Sequence, residues 1–475
     1  MKETARKLPP LPPGFRVAVD SDVKPLSDEL LFGGSPARVL RLTKAGRKAW
    51  QELATGPVVT AAAGILARRL TDAGLAHPVP PEPAGEPDLT VVVPAHNRAA
   101  VLERCLAGLG GIYPVLVVDD GSEDAAQVAA VAAKHGAKLV RRDGNGGPGA
   151  ARNTGLAHVG TELVAFVDSD CRPEGAWMAR LAAHFADPLV AAVAPRIRGL
   201  AGRTWAGRYT RAASSLDLGE SAARVAPGSR ISYVPTAALI VRRSALATVG
   251  DAAFDPRLRF GEDVDLVWRL HKAGYRIRYD PSVHVDHEEP TTWRGLLARR
   301  YRYGTSAAPL ALRHPDSIAP LVLQPWPALT VAAALARRPL LAVAAFAGAV
   351  LGMRDTLRAG GVPTTVATRA MGVAVRQTGL GCGRYGTQFA GPALVAALAG
   401  RHRLAAAALL LAAPLSAWCD RRPPLDPVRY TAAAIADDVA YGAGVLAGAL
   451  THRTTIPLRP RLARRPPRVD RKGKR

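Results

Sequence analysis

Cysteine is scarce: Cys105, Cys171, Cys382 and Cys419 are the only four in 475 residues. None pair at metal-ligand spacing, and so few exclude a disulfide framework; they suit a reducing compartment, the cytoplasm. The opening stretch MKETARKLPPLPPG has no apolar core segment, so no secretory signal is expected. Long apolar runs are missing too. RPLLAVAAFAGAVLGM and RLAAAALLLAAPLSAW fall short of the roughly 20 residues a spanning helix needs, and Arg337 and Arg338 interrupt the first. They read as packed or interfacial helices, with a spanning helix near 401–420 as the other option. Acidic residues are in deficit, 39 against 63 Lys and Arg, for a formal charge of +24. That balance points to a polyanionic partner: nucleic acid, an anionic membrane face, or phosphorylated small molecules. A hydrophobic content of 48% excludes a disordered chain.

The chain divides into five zones. Residues 1–80 form a small α+β domain: FRVAVD and ARVLRL alternate as strands do, while TKAGRKAWQEL and VVTAAAGILARRLTDAGL read as helices, the second ending at Gly74. HPVPPEPAGEP reads as a Pro-rich linker, centred on 81–88. Residues 89–305 alternate apolar strands with helical stretches, the signature of a parallel sheet flanked by helices. LTVVVPAH, PVLVVDDGS, AKLVRRDG and ELVAFVDSD are its strands, each ending in polar residues or glycine. Ligands of such sheets sit beyond the carboxyl ends of the strands. Pro94, Ala95, His96, Asn97 and Arg98, then Asp119 and Asp120, then Asp168 and Asp170 should therefore meet on one rim. Residues 306–455 are Ala/Leu-rich helix candidates, and 456–475 form a basic tail.

Asp168-Ser169-Asp170 closes an apolar run with two carboxylates. Alternation alone points them the same way, although a turn there would reorient either. A hard divalent cation, Mg²⁺ or Mn²⁺, takes carboxylate oxygens together with substrate phosphate oxygens; a solvated turn or helix cap is the plainer alternative. GNGGPGAARNTGL holds a G-x-G-x-x-G, with Asp168 roughly 20 residues on, as a dinucleotide fingerprint asks. Its place in the third strand–helix unit, Pro148, and the paired acid count against that reading. A glycine-rich loop feeding a helix, Gly144 to Gly149, still suits a diphosphate through its free backbone N–H groups, with Arg152 to meet the phosphates. Glu262 and Asp263 open a helix whose buried face takes Val264, Val267 and Leu270. There they serve as dipole partners or, for Asp263, as a general base toward a hydroxyl. His284 and His287 follow; an imidazole at His287 could complete a Mn²⁺ shell beside Asp170. RRYRYG offers Arg299, Arg302 and Tyr303, a diphosphate clamp and a stacking face, or simply a basic surface helix.

In this order the motifs VVVPAHNRAAVLERCLAGL, VVDDGSED, GGPGAARNTGL, VAFVDSDCRP, VPTAALIVRRSALATVG and FGEDVDLVWRLHKAGYRIRYDPSVHVDH closely resemble family 2 glycosyltransferases. The resemblance implies a Rossmann-like GT-A core and an inverting transfer from a nucleotide sugar. It implies that the first loop (Pro94–Arg98), Asp119, Asp120, Gly149, Arg152 and Asn153 lie against the donor, with Asp168 on the ribose. Asp170, with Asp168 and His287, would hold the divalent metal. Asp263, beside Glu262, would deprotonate the acceptor, and UDP would leave. RRYRY resembles the Q-x-x-R-W motif of processive members but has Arg299 for Gln and Tyr303 for Trp. The chain ends, LPPGFRVAVDSDVKPL, GGSPARVLRLTKAG and RRYRYGTSAAPLALRHP among them, resemble the mycofactocin-biosynthesis branch of that family. This implies glucose transfer, building a β-1,4-glucan on a peptide-derived redox cofactor. The first 80 residues are similar to winged-helix peptide-recognition elements, implying docking of a precursor peptide or carrier. The expected location is the cytoplasm, at an anionic membrane face reached through the carboxyl-terminal region.

Other classes make different demands. A family 2 enzyme of envelope polysaccharide or glycolipid would share the catalytic set. An NAD oxidoreductase would bind nicotinamide at Gly144–Gly149. A nucleotidyltransferase would carry a glycine-rich loop where this chain has PAHNR. A glycoside hydrolase needs two carboxylates flanking the bond and no nucleotide. A nucleic-acid-binding protein would explain the charge but not the ordered acids, so no nucleic acid is expected.

Overall fold

The computed structural model describes residues 8–82, 85–174, 177–200, 202–358 and 363–463. Residues 1–293 and 294–475 form two compact units.

The first unit is built on a nine-stranded sheet. Its strand order is Cys171–Pro173, Arg276–His287, Val190–Gly199, Ala238–Arg242, Leu163–Val167, Leu89–Ala95, Val115–Asp119, Lys138–Arg141, with Ala223–Val225 also paired to Arg276–His287. The central strands are apolar at nearly every position because both faces are covered; all five residues of Leu163–Val167 are buried. Helices Ala99–Leu109, Ala125–Lys134 and Pro148–Ala157 make the crossovers between the four amino-terminal strands, which run parallel. The sheet as a whole is mixed, which corrects the expectation of a parallel one. No helix separates Ala223–Val225 from Ala238–Arg242, and the latter enters antiparallel to both Leu163–Val167 and Val190–Gly199. The α/β class with a Rossmann-like half holds.

The small amino-terminal region has the expected two helices. Thr43 and Thr60 cap them, accepting from Gly46 (3.1 Å) and Ala63 (3.2 Å), and Gly74 ends the second in a left-handed turn (φ 68°). Three short strands, Lys24–Ser27, Leu30–Gly33 and Arg38–Arg41, make a sheet of their own. One element differs from expectation: Ala76–Val79, inside the Pro-rich stretch, is a strand antiparallel to Arg16–Val19. Its proline sits on a two-stranded edge, where a missing N–H is tolerated. This region is fastened to the large sheet by charge. Arg68 forms a two-pronged pair with Asp187 (2.7 and 2.8 Å), both buried, and Asp72 does the same with Arg276 (2.7 Å each).

The second unit is helical as expected: Pro325–Leu335, Pro339–Arg358, Thr364–Ala397, Arg403–Arg421 and Pro427–Thr451. Thr364–Ala397 bends at Ala390, two residues before Pro392. Arg403–Arg421 and Pro427–Thr451 are long and apolar enough to cross a membrane by length and composition; sequence reading passed over the second. The basic tail from residue 464 lies outside the described residues.

Removing one partner of the buried Arg68–Asp187 pair leaves an uncompensated charge. Asp187→Ala should lower unfolding free energy by about 3–5 kcal/mol in denaturant titration, while Arg68→Met/Asp187→Leu should lose less than half of that.

Candidate active site

The rim predicted from the strand ends exists, and its loops are stitched to one another. Pro94 and Ala95 are buried in the strand itself. Beyond them His96 Nδ1 meets the Asp120 carbonyl at 3.0 Å, and Asn97 N–H donates to Ser122 Oγ at 2.7 Å. Asn97 Oδ1 accepts from Glu123 N–H at 2.8 Å. Asn97 and Arg98 both take left-handed backbone angles (φ 56° and 57°), turning the chain so that Arg98 is more than half exposed. Its guanidinium lies 3.8 Å from both Asp170 and Glu288.

Asp119 and Asp120 are committed within the protein. Asp119 is fully buried, paired with Arg141, and accepts from Ser122 N–H at 2.9 Å. Asp120 is paired with Arg142 and accepts the N–H groups of Gly146 (3.1 Å) and Gly147 (2.7 Å). The glycine-rich loop therefore cradles a carboxylate of its own chain. That corrects the expectation of free N–H groups for a diphosphate and removes the basis for a dinucleotide fingerprint. Gly149 is a site of close packing: a Cβ there would stand 3.2 Å from Phe254 Cβ and 3.3 Å from Glu262 Cγ. Asn153 is occupied in pinning the same neighbour, donating to the Phe254 carbonyl at 2.6 Å and accepting its N–H at 3.0 Å.

Arg152 departs most from expectation. It is 2% exposed, lies over the Phe254 ring (5.5 Å), and bridges Asp168 Oδ1 (2.5 Å) and Glu262 Oε1 (2.9 Å). It faces carboxylates, not phosphates. Burial works against its charge, but Asp168 and Glu262 more than restore it. Two acids about a hundred residues apart are thereby held around one cation. Asp263, next to Glu262, accepts the N–H of Val264 at 2.7 Å. Burial, and then repulsion from Glu262, push its carboxyl up to about 7. Glu262 is itself raised by burial, against the pull of Arg152. The two acids thus differ in role: one is locked in an ion pair, the other is poised to exchange a proton near neutrality.

Asp168 and Asp170 point to different partners. A turn closed by Cys171 N–H to the Asp168 carbonyl (2.9 Å) separates them. Asp170 faces His287 Nε2 at 3.3 Å, and His287 Nδ1 faces Glu289 Oε1 at 3.4 Å, which accepts from Ser214 at 2.6 Å. Burial would lower the imidazole, but Asp170 and Glu289 raise it to about 10. His284 is exposed, three residues up the same strand, and plays no part here. Asp168, engaged by Arg152, is not a natural metal ligand in this arrangement. Asp170 offers a carboxylate oxygen suited to Mn²⁺ or Mg²⁺, and the His287 imidazole would join it only on losing the proton that Asp170 and Glu289 favour on its ring. Among the described residues no third such side chain converges, so an ion would need oxygens from the substrate. Sequence reasoning missed Glu288, which holds Arg104 (2.7 Å) and Arg172 (2.8 Å), and Glu289, although both directly follow His287. Arg299, Arg302 and Tyr303 lie on the Trp293–Thr305 helix within the second unit, where the neighbouring Arg300 pairs with Asp437 at 2.6 Å.

Residues 90–250 match glycosyl transferase family 2. The chain is 40% identical over 95% of its length to the pre-mycofactocin glycosyltransferase of Mycobacterium tuberculosis H37Rv, covering 98% of that protein. It is 29% identical over 46% of its length to glycosyltransferase AglE of Haloferax volcanii, covering 72% of it. The solved mannosyltransferase PcManGT of Pyrobaculum calidifontis, in complex with GDP-Man and Mn²⁺, superposes with a TM-score of 0.45 at 22% identity, covering 79% of this chain and 89% of that one.

If Arg152 is the tie between Asp168 and Glu262, Arg152→Met should cost about 3–5 kcal/mol of stability, because two acids lose their counter-ion. Adding Glu262→Gln should recover part of it. Strictly additive losses in a double-mutant cycle would show that the two groups are not coupled.

Proposed function

Because the chain belongs to glycosyltransferase family 2, and is an enzyme of the pre-mycofactocin glycosyltransferase type, we propose that it transfers glucose from UDP-glucose to a peptide-derived redox cofactor and extends a β-1,4-glucan there. The observation that carries the mechanism is the Asp263 carboxyl standing beside Glu262, itself locked to Arg152 at 2.9 Å; burial and that neighbour push Asp263 up to about 7.

In this reading the donor lies along the rim, its base against His96–Arg98 and the Asp119–Asp120 turn, its ribose at Asp168. Asp263 takes the proton of the acceptor hydroxyl as that oxygen attacks the anomeric carbon. The bond from that carbon to the diphosphate breaks, UDP leaves with the electron pair, and the configuration inverts. Asp170 and His287 would hold a divalent ion, which supplies positive charge to offset the diphosphate. Arg98, exposed beside Asp170, is placed to reach the same phosphates. Arg152 acts indirectly, fixing Asp168 and Glu262 so that Asp263 keeps its position. The amino-terminal region docks the precursor peptide or its carrier, and the enzyme works in the cytoplasm at the inner membrane face. The nicotinamide alternative has lost its phosphate cradle to Asp120.

Calorimetric titration with UDP tests the donor site: binding should require Mn²⁺ or Mg²⁺ and vanish in Asp170→Ala, and a folded wild-type protein that binds no UDP overturns the reading. A base must be ionised to act, so kcat/KM should rise as pH increases to about 7 and level off above it. Asp263→Asn should keep UDP affinity and lose on the order of 10²–10⁴ in turnover. Normal turnover by that variant would remove Asp263 from the chemistry.

A further inference from the structure

Exposed apolar side chains are distributed unevenly. Of the twenty-five large hydrophobic residues exposed among the described residues, nineteen lie in residues 294–475. On the Arg403–Arg421 helix they are organised. Leu404, Ala408, Leu411, Ala412, Leu415 and Cys419 are its exposed positions between the flanking charges. Their spacing follows one helix face, and none is charged or carries a hydrogen-bonding oxygen or nitrogen. The other side is apolar too, with Ala406, Leu410 and Pro414 buried against neighbouring helices. So the helix has two apolar sides and, among the described residues, a protein partner for only one. The open stripe runs about 22 Å at 1.5 Å per residue.

Charge says what covers it. Arg401 and Arg403 stand at one end of the stripe, and Arg421 and Arg422 at the other beside Asp420, whose charge is already met by Arg376 at 3.3 Å; all are exposed. A second copy of the chain packed on this face, parallel or antiparallel, would bring guanidinium groups together at both ends. Anionic lipid would not: the leucines sink below the headgroups while the arginines remain level with the phosphates. The packed partner helix, Thr364–Ala397, bears exposed Arg369, Arg376 and Arg384. A bundle crossing the bilayer would carry such groups to hydrocarbon depth, which is costly. We infer that this face docks the enzyme on an anionic bilayer from one side, with the Arg403–Arg421 helix lying in the interface and not spanning it. The inference deepens the membrane placement proposed above and does not depend on the donor assignment.

The test uses the full chain and sedimentation with phosphatidylcholine vesicles, with and without phosphatidylglycerol. Wild-type protein should pellet with the anionic vesicles only, less so as salt rises, and should be released by alkaline carbonate. Leu404→Glu, Leu411→Glu and Leu415→Glu combined should weaken vesicle binding by roughly tenfold or more, with an unchanged melting temperature and unchanged sugar transfer in solution. Four outcomes overturn the inference: wild-type protein that does not bind anionic vesicles, undiminished binding by the triple variant, retention after carbonate, or a lipid-free wild-type dimer that the variant converts to monomer. Vesicle binding that fails while transfer persists refutes the docking face alone. Lost transfer with docking intact refutes the earlier mechanism alone.

Discussion

The rim at the strand ends depends on a single buried cation. Arg152 holds Asp168 and Glu262, acids from the end of a strand and the start of a distant helix, and without it three carboxylates would crowd one low-dielectric space. Mutual repulsion would protonate them or drive the helix away from the sheet. With it, Asp168 and Glu262 share a counter-ion, and Asp263 feels the residual repulsion from Glu262 together with its own burial. Its proton affinity near neutrality therefore belongs to the whole group. The aromatic ring of Phe254 closes the guanidinium from below, and Asn153 and Gly149 hold Phe254 in place. Residues that looked like donor contacts are the scaffold of that one ion cluster.

The strands were legible because each is an apolar run that stops abruptly at polar residues, and their carboxyl ends did meet on one rim. The helix opening at Glu262 was legible from Val264, Val267 and Leu270, all buried. What could not be read was pairing across long separations. Nothing local distinguishes an arginine aimed at phosphate from one aimed at Glu262, 110 positions away. Nor does a glycine-rich loop disclose that Asp120 will occupy its N–H groups. Periodicity also failed at Ala76–Val79, where Pro78 and the prolines that follow outweighed a short edge pairing, and it could not give direction, so the antiparallel entry of Ala238–Arg242 was invisible. The division of labour between Asp168 and Asp170 needed the intervening turn, which the sequence allowed but did not require.

The net charge of +24 has a more distributed meaning than composition implied. Much of the arginine in the first unit is spent internally: Arg141 and Arg142 on the Asp119–Asp120 turn, Arg104 and Arg172 on Glu288, Arg196 on Asp217, Arg68 and Arg276 on the fastening of the amino-terminal region. A formal surplus thus overstates the field that a soluble polyanion would meet near the rim. In the second unit arginines flank apolar surface.

The strand Arg276–His287 joins two ends of the first unit. At one end Arg276 grips Asp72 of the amino-terminal region; at the other His287 faces Asp170. It is paired to Val190–Gly199 at both ends but bulges at residues 281–283, so its ends stand about as far apart as the partner's nine steps, roughly 30 Å. It therefore works as a ruler. Under the docking proposed above, an acceptor held beside Asp72 would need about that reach for its hydroxyl to meet the rim, and a shorter one would have to let go in order to react.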